Sequence, residues 1–227
     1  MPHLQPVTLS LGQVLLESHQ RIELAYLLTT AIVSLVYTAQ NGSTAEMAII
    51  GNDGIVGTSI FLGGESTCSR AIVAVAGQAW QMPAKILRLE FERNLQLQRI
   101  LLAYTQALIT QISQTAVCNR FHSVEQRLCR WLLLCHDRIG RDELLMTQDL
   151  IAQMLGGRRE SVTVAAGHLQ DLGLINYCRG HIRIISRNGL EQCACECYRT
   201  VEEELAHLRD SMRPRPVTPV APFRQAV

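Results

Sequence analysis

The sequence has almost no net charge and almost no lysine. Its 227 residues carry 21 basic and 20 acidic side chains, and Lys85 is the only lysine. A net charge of +1 gives the whole chain no basic field that would attract nucleic acid. The arginine bias has two explanations: a genome that favours GC-rich codons, or the bidentate contacts that arginine makes with phosphate and guanine.

The sequence also lacks long apolar runs and a recognisable export signal. Its longest apolar stretch, residues 24–37, is interrupted by Thr29, Thr30 and Ser34. It therefore falls short of the ~20 residues that a membrane-spanning helix needs. The first ten residues show no basic region followed by an apolar run, so a signal peptide is not expected. We therefore expect a cytoplasmic protein whose eight cysteines are free thiols.

The first third of the chain predicts β-strands. Runs rich in β-branched residues, such as IELAYLLTTAIVSLVY, EMAII and RAIVAVAG, are separated by turn signals at residues 40–43, 51–54 and 63–64. Short strands at this spacing are typical of a small antiparallel barrel or jelly roll.

A long helix is predicted next, because residues 85–118 contain neither glycine nor proline. Leu97, Leu101, Tyr104 and Leu108 recur at alternating steps of four and three, which is a heptad pattern. A helix of about 30 residues is about 45 Å long, more than a small barrel can cover. The pattern indicates either a core helix or a dimer coiled coil, and we favour the dimer.

A helix, a tight turn, a second helix and a β-hairpin are predicted from residues 146–185. Thr147 is a good N-cap, and Gly156 and Gly157 end the first helix and permit a tight turn. The second helix begins near Arg159, and two short strands follow it. This order of elements predicts a winged helix-turn-helix.

Polar residues of this segment lie where DNA chemistry needs them. A recognition helix contacts base edges from its N-terminal residues, where arginine can bond guanine and glutamate can bond cytosine. Residues 120–190 carry ten arginines and seven acidic residues, and this local charge of +3 suits a phosphate surface. The alternative is a helical hairpin of a core with solvated arginines, but the cap, the glycine turn, the Arg-Arg-Glu start and the wing together favour DNA.

Three groups of candidate DNA contacts follow from this pattern, and the first is the set of polar residues at the start of the second helix. Thr147 and Gln148 are expected to hold a phosphate at the start of the first helix, and the hairpin tip is expected to contact the DNA backbone as a wing. The candidates are Thr147, Gln148, Arg158, Arg159, Glu160, Ser161, Thr163, Arg179 and His181.

The sequence resembles the Crp/Fnr family of bacterial transcription regulators. The resemblance rests on RLCRWLLLCHDRI, LLMTQDLIAQMLGGRRESVTVAAGHLQDLGLI and RGHIRIISRNGLEQCACECY, and more weakly on IIGNDGIVG and RAIVAVAGQAWQMP. It implies an α+β fold with a cyclic-nucleotide-binding-like jelly roll (residues 1–90), a dimerisation helix (91–119) and a Crp-type winged helix-turn-helix (120–190). The remaining residues, 191–227, are expected to form a C-terminal helix and a tail, and the four prolines of residues 213–227 predict that the tail is disordered.

The resemblance also assigns roles to single residues of the recognition helix. The base-reading arginine and glutamate of the family match Arg159 and Glu160, and the hydroxyl residue that follows matches Ser161. Val164 stands where several members have a second base-reading arginine, so a half-site different from theirs is expected, with a thymine methyl as the alternative contact. The resemblance implies a homodimer on a near-palindromic operator, with RNA polymerase as a further partner.

No cofactor is expected. In cyclic-nucleotide binders of the family, a Gly-Glu-Leu-Gly stretch supplies the ribose contact and an Arg-Ser-Ala stretch supplies the phosphate contact. Here Ile55 replaces the glutamate, and Ser69 and Arg70 stand in exchanged order, so Arg70 is expected to point away from the phosphate. Cyclic AMP is therefore not expected to bind. An iron–sulfur cluster is not expected either, because no cysteine precedes Cys68.

Three closely spaced cysteines, Cys193, Cys195 and Cys197, are left without a role. On one helix Cys193 and Cys197 would share a face and Cys195 would not, and zinc sites usually separate cysteines by two or more residues. We therefore expect packed or surface thiols and no metal site, with a redox or metal role as the alternative.

The function predicted from the sequence is that of a sequence-specific DNA-binding transcription regulator. The alternative is a small-molecule or redox sensor whose barrel or cysteines take the signal and whose readout is DNA binding. An enzyme is not expected, because paired carboxylates, a nucleophile elbow, a phosphate-binding loop and a metal-ligand set are all missing from the sequence pattern.

Overall fold

Two antiparallel four-stranded sheets form the N-terminal part of the chain. The computed structural model describes residues 3–212, except for the side chains of residues 148, 149, 211 and 212. The strands are β1 (Gln5–Leu9), β2 (Val14–Leu16), β3 (Leu24–Leu28), β4 (Ile32–Thr38), β5 (Thr44–Ile50), β6 (Ile55–Val56), β7 (Arg70–Val75) and β8 (Gly77–Pro83). They pair in the orders β1-β8-β3-β6 and β2-β7-β4-β5. Buried apolar residues such as Leu9, Ile32 and Val73 fill the space between the sheets. The predicted jelly roll is confirmed.

A break at Asn94 divides the helical segment that follows the sheets. Helix α1 spans Ala84–Arg93 and helix α2 spans Leu95–Phe121. The Asn94 side-chain oxygen accepts hydrogen bonds from the backbone N–H groups of Gln96 and Leu97, both at 3.1 Å. The prediction of one helix over residues 85–118 is wrong, because the asparagine side chain replaces the helical hydrogen bonds at this point. The segment predicted as a dimerisation helix over 91–119 corresponds to α2, which begins and ends later.

One side of α2 packs against the barrel of the same chain. Leu101, Tyr104 and Leu108 are all buried, and the Tyr104 hydroxyl donates a hydrogen bond to the backbone carbonyl of Ile55 at 3.2 Å. Leu97 is partly buried against the same core. Three of the four residues predicted to form the dimer contact are therefore buried within their own chain. The heptad pattern marks the side of α2 that covers the barrel of the same chain.

The C-terminal part combines five helices with a small sheet. Its elements are α3 (Val124–Ile139), β9 (Glu143–Leu145), α4 (Gln148–Leu155), α5 (Arg159–Asp171), β10 (Ile175–Cys178), β11 (His181–Ile184), α6 (Arg187–Cys193) and α7 (Cys197–Met212). Ser123 and Gln126 form a capping box at the start of α3. The three strands pair antiparallel in the order β10-β11-β9.

Buried polar contacts join the barrel to α3. The indole Nε1 of Trp131 donates a hydrogen bond to Glu46 Oε1 on β5 at 3.0 Å. Arg138 forms an ion pair with Asp53 at 3.1 Å and donates a hydrogen bond to Gln111 Oε1 of α2, also at 3.1 Å. These contacts hold the helix-turn-helix part on the barrel and on α2 at once.

Within the part of the chain that the structure describes, none of the helices combines the length and the apolar composition of a membrane crossing. The proline-rich segment 213–227, predicted to be disordered, lies outside the described residues.

Candidate nucleic-acid interface

Helices α4 and α5 are joined by a tight glycine turn. The Thr147 hydroxyl accepts a hydrogen bond from the backbone N–H of Leu150 at 3.2 Å and so caps α4. Gly156 ends α4 in the left-handed conformation, with φ 58°, which glycine adopts without a steric penalty. Ile151 and Val162 are fully buried between the helices and the rest of the core. Local sequence signals therefore produce the helix-turn-helix.

The predicted base-reading residues lie on the exposed side of α5. Arg158 is the N-cap residue, and Arg159 begins the helix. Glu160 and Val164 stand one turn apart, opposite the buried Val162, and Val164 is 73% exposed. The exposed set consists of Arg158, Arg159, Glu160, Ser161, Thr163 and Val164. The start of α5 therefore offers guanidinium, carboxylate, hydroxyl and methyl groups side by side.

A two-residue turn forms the tip of the hairpin between β10 and β11. Arg179 and Gly180 both have positive φ, 50° and 82°, as a type I′ turn requires. The backbone N–H of Met146 donates to the Gly180 carbonyl at 2.7 Å, which holds the tip beside Thr147. The exposed Arg179 and the cap of α4, both predicted phosphate contacts, are thus brought together.

The other two predicted DNA contacts, His181 and Gln148, lie beside the hairpin tip and at the start of α4. His181 is the exposed first residue of β11, paired with Cys178, and so lies next to the hairpin tip rather than in it. Gln148 begins α4, and its side chain is outside what the structure describes.

The two barrel residues that the resemblance aligns with cyclic-nucleotide contacts, Ile55 and Arg70, make other contacts within the chain. Ile55 is buried at 3% exposure. Arg70 donates two hydrogen bonds to the Glu17 carboxylate, Nε to Oε2 at 2.9 Å and Nη2 to Oε1 at 3.0 Å. The guanidinium is therefore neutralised within the chain, and a cyclic phosphate would have to compete with Glu17 for it.

A cluster of three cysteines and a histidine was missed by the sequence analysis. Helix α6 ends at Cys193 and α7 begins at Cys197, because Ala194 is extended (φ −69°, ψ 153°). The assumption of one continuous helix through Cys193, Cys195 and Cys197 is therefore wrong. The break places Cys195 and Cys197 at the C-terminal end of α2, beside Cys118 and His122. The signal in the sequence was the four-residue spacing of Cys118 and His122, far along the chain from the other two.

The contact between Cys118 and Cys195 separates the pKa values of the two thiols. The Sγ atoms are 3.4 Å apart. Their hydrogen bond lowers the pKa of Cys195 to about 6, while the same hydrogen bond, together with burial, raises the pKa of Cys118. Because the two thiols share this hydrogen bond, the loss of the first proton is a property of the pair.

Comparison with known proteins gives a sequence match for the C-terminal part and a fold match for most of the chain. Residues 126–193, from α3 to α6, match the Crp-like helix-turn-helix domain. No curated protein matches the chain. FixK2 from Bradyrhizobium japonicum has a TM-score of 0.72 at 16% identity, over 85% of this chain and 98% of that chain.

Two further solved structures have the same fold. TTHB099, a transcriptional regulator of the CRP family from Thermus thermophilus, has a TM-score of 0.69 at 15% identity, over 83% of this chain and 96% of that chain. CLP, a c-di-GMP-responsive global regulator from Xanthomonas campestris, has a TM-score of 0.61 at 16% identity, over 82% and 95% of the two chains. At such identities the likeness establishes the fold.

Proposed function

Because this chain has the fold of the Crp/Fnr regulators and carries a Crp-like helix-turn-helix domain, we propose that it is a sequence-specific DNA-binding transcription regulator. The observation that carries the proposal is the exposed start of α5, where Arg159 and Glu160 follow a capped helix and a glycine turn. The protein acts in the cytoplasm on double-stranded DNA, with RNA polymerase as a further partner and without catalytic activity of its own.

In the proposed complex, base reading and phosphate binding use different elements. Arg159 bonds guanine through two donors, Glu160 accepts from a neighbouring cytosine, and Val164 meets a thymine methyl. Arg158, Ser161 and Thr163 flank them on the same exposed side. Phosphate contacts from the cap of α4 and from the hairpin tip hold the protein in register. They come from Thr147, Gln148, Arg179 and His181.

A homodimer is supported by the outward side of α2. Leu95, Leu102 and Ile109 follow one another at seven-residue intervals and are 61%, 47% and 52% exposed. A heptad stripe of exposed apolar residues, on the side opposite the barrel contact, has the pattern of a coiled-coil seam. A two-fold dimer through this stripe would present two α5 helices to half-sites about 34 Å apart, which implies a near-palindromic operator.

The proposal includes no cyclic nucleotide or iron–sulfur cluster. Ile55 replaces the ribose-binding acid, Arg70 is paired with Glu17, and no cysteine precedes Cys68. The alternative function, a sensor that uses DNA binding as its readout, is favoured by one observation, the cluster of three cysteines and a histidine.

The test is selection of duplex DNA from a random library by the full-length protein, followed by sequencing. We expect enrichment of a near-palindromic motif whose two halves are centred about one helical turn apart, roughly 10 base pairs. The control is the double variant R159A/E160A, which changes only exposed side chains and should enrich no motif. Recovery of random sequences by the wild-type protein would contradict the proposal.

A further inference from the structure

Four side chains from two distant parts of the chain converge at the end of α2. Cys118 lies in the last turn of α2, and His122 is the residue that directly follows this helix. Cys195 lies in the break between α6 and α7, and Cys197 is the first residue of α7. Their three Sγ atoms and one imidazole nitrogen all lie within 4.8 Å of one another. Cys118, Cys195 and Cys197 are at most 5% exposed. We propose that these four residues bind a single divalent metal ion in tetrahedral geometry, and that the ion is Zn²⁺.

The distances fit a mononuclear site. Zinc–sulfur bonds of about 2.3 Å and zinc–nitrogen bonds of about 2.0 Å give tetrahedral edges of about 3.8 Å between two sulfurs and about 3.6 Å between sulfur and nitrogen. Here Cys118 Sγ and Cys195 Sγ are 3.4 Å apart, and Cys197 Sγ and His122 Nδ1 are 3.6 Å apart. These two distances lie within about half an ångström of the tetrahedral edges, and none of the remaining distances among the four ligand atoms exceeds 4.8 Å.

The distances between the ligand atoms and the types of ligand favour a zinc ion over other metal groups. An iron–sulfur cluster spreads its cysteine ligands around several iron atoms, which a group confined to 4.8 Å cannot do. Three thiolates and one imidazole favour zinc over the oxygen-binding ions magnesium and calcium. With four protein ligands the coordination sphere is closed, as in structural rather than catalytic zinc sites.

The surroundings of the cluster match those of a metal site. The other imidazole nitrogen of His122, Nε2, lies 3.2 Å from Glu196 Oε1. A carboxylate on the outer nitrogen of a metal-binding histidine fixes the ring and leaves the inner nitrogen for the ion. Glu196 stands between two of the cysteine ligands in the sequence, so the break that delivers the ligands also delivers this carboxylate.

A buried arginine supplies compensating charge. Arg130 is 6% exposed, and its Nη2 donates to Thr115 Oγ1 at 3.0 Å. Its Nε has no hydrogen-bond partner among the residues that the structure describes. The positive charge of Arg130 acts favourably on the thiolate forms of Cys118 and Cys197. Zinc with three thiolates and one imidazole has a net charge of −1, which a neighbouring guanidinium offsets.

The position of the ion gives it a structural role. It would link the C-terminal end of α2, from which α3 departs, to the start of α7. Because these segments lie far apart in the sequence, closing the site constrains the unfolded chain and contributes binding free energy to folding. The inference does not depend on DNA binding.

The first experiment uses the full-length wild-type protein, purified with a thiol reductant and without chelator. We expect elemental analysis to find one zinc per chain. After removal of the zinc, Co²⁺ should bind with 1:1 stoichiometry and show the visible d–d bands of tetrahedral cobalt together with thiolate-to-cobalt charge-transfer bands. Zinc should also raise the thermal unfolding temperature of the stripped protein.

Substitutions of single residues and pairs test whether the metal binds at this cluster or at cysteines elsewhere in the chain. The double variant C118S/C197S should lose the metal and the cobalt bands. Two matched controls should keep both: C129S, a buried cysteine outside the cluster, and C178S, an exposed one. Because the double variant can fail to fold, E196Q provides a milder test. It changes an exposed side chain and should weaken metal affinity about 10- to 100-fold.

Four outcomes would overturn the proposal. The first is reduced wild-type protein that binds neither zinc nor cobalt stoichiometrically. The second is the visible absorption of an iron–sulfur cluster in protein purified without air. The third is full metal content in C118S/C197S. The fourth is a disulfide between Cys118 and Cys195 in the purified protein with no metal binding after its reduction.

Discussion

Arginines at two positions of the C-terminal part are held by different kinds of backbone. Arg159 is the first residue of a helix, whereas Arg179 occupies a turn with positive φ, 50°. A helix can enter the major groove and direct a side chain at base edges, but a hairpin tip beside it meets the sugar–phosphate backbone. The two residues are therefore expected to contribute to binding in distinguishable ways.

Replacing Arg159 by alanine should weaken binding to the operator by roughly 5- to 150-fold, because a bidentate contact with guanine is worth ~1–3 kcal/mol. Preference at one guanine of each half-site should relax. Fluorescence anisotropy with operator duplexes and with random duplexes measures both effects. If R159A weakens binding to operator and random DNA by the same factor, Arg159 holds phosphate and the base-reading side of α5 is assigned wrongly.

The matched comparison is R179A, a substitution of the same type at the hairpin tip. It should weaken binding to all sequences about equally and reduce the slope of log affinity against log salt by about one unit, because one phosphate contact is lost. Titrations at several salt concentrations measure that slope. A sequence-dependent loss in R179A would contradict the assignment of the wing to the DNA backbone.

At the scale of the element, α2 has two apolar sides, one buried and one exposed. Leu101 and Leu108 are buried against the barrel, whereas Leu102 and Ile109 are 47% and 52% exposed. A heptad pattern indicates that a helix has an apolar side, but it does not tell whether the partner is the same chain or a second copy. The distinction follows from which side the barrel covers.

The variant L102D/I109D should be a folded monomer at micromolar concentration and should lose specific DNA binding. The variant L101D/L108D, matched in residue type and number of charges, should instead unfold, because each buried aspartate lacks a partner and costs at least about 3 kcal/mol. Sedimentation equilibrium and thermal unfolding by circular dichroism separate the two results. A wild-type protein that is monomeric at micromolar concentration, or a dimer that survives L102D/I109D, would exclude the outward seam.

At the scale of the whole molecule, a buried carboxyl group joins the barrel to the DNA-binding part. Glu46 on β5 accepts a hydrogen bond from Trp131 of α3 and contacts the hydroxyl of Ser34. Burial raises its pKa from the ordinary value of 4.5 to about 8, although Ser34, Arg130, Trp131 and Arg138 all favour the charged form. Burial therefore favours the protonated form of Glu46 in the folded protein.

This carboxyl group should make stability depend on pH. Between pH 4.5 and about 8 the folded chain holds a proton that the unfolded chain has released, so the free energy of unfolding falls as pH rises through this range. E46Q replaces the carboxyl group by an amide of nearly the same shape, which can form hydrogen bonds but does not titrate. It should remove this contribution and be more stable than the wild type at pH 8, by about 1 kcal/mol or more.

Denaturant unfolding at several pH values between 5 and 8 measures the effect. E92Q, at an exposed position of α1, is the control and should keep the wild-type slope. An unchanged slope in E46Q would show that another group causes the pH dependence.

Much of the fold could be predicted from short-range signals. The structure confirms the strands predicted from the β-branched runs, the cap at Thr147 and the turn at Gly156. The resemblance to Crp/Fnr regulators is confirmed by the domain match and by the fold. Each of these signals depends on residues within a few positions of one another, so tertiary structure was not needed to interpret it.

The sequence by itself thus determined the β-rich first third of the chain and which segment carries the helix-turn-helix, but not the helix breaks at Asn94 and after Cys193. Only the tertiary structure decided which side of α2 meets the barrel, because periodicity defines a side but not its partner. Only the tertiary structure brought Cys118 and His122 to Cys195 and Cys197. That cluster depends on a helix break after Cys193 and on the packing of α7 against α2, and no short stretch of sequence encodes a contact between such distant segments.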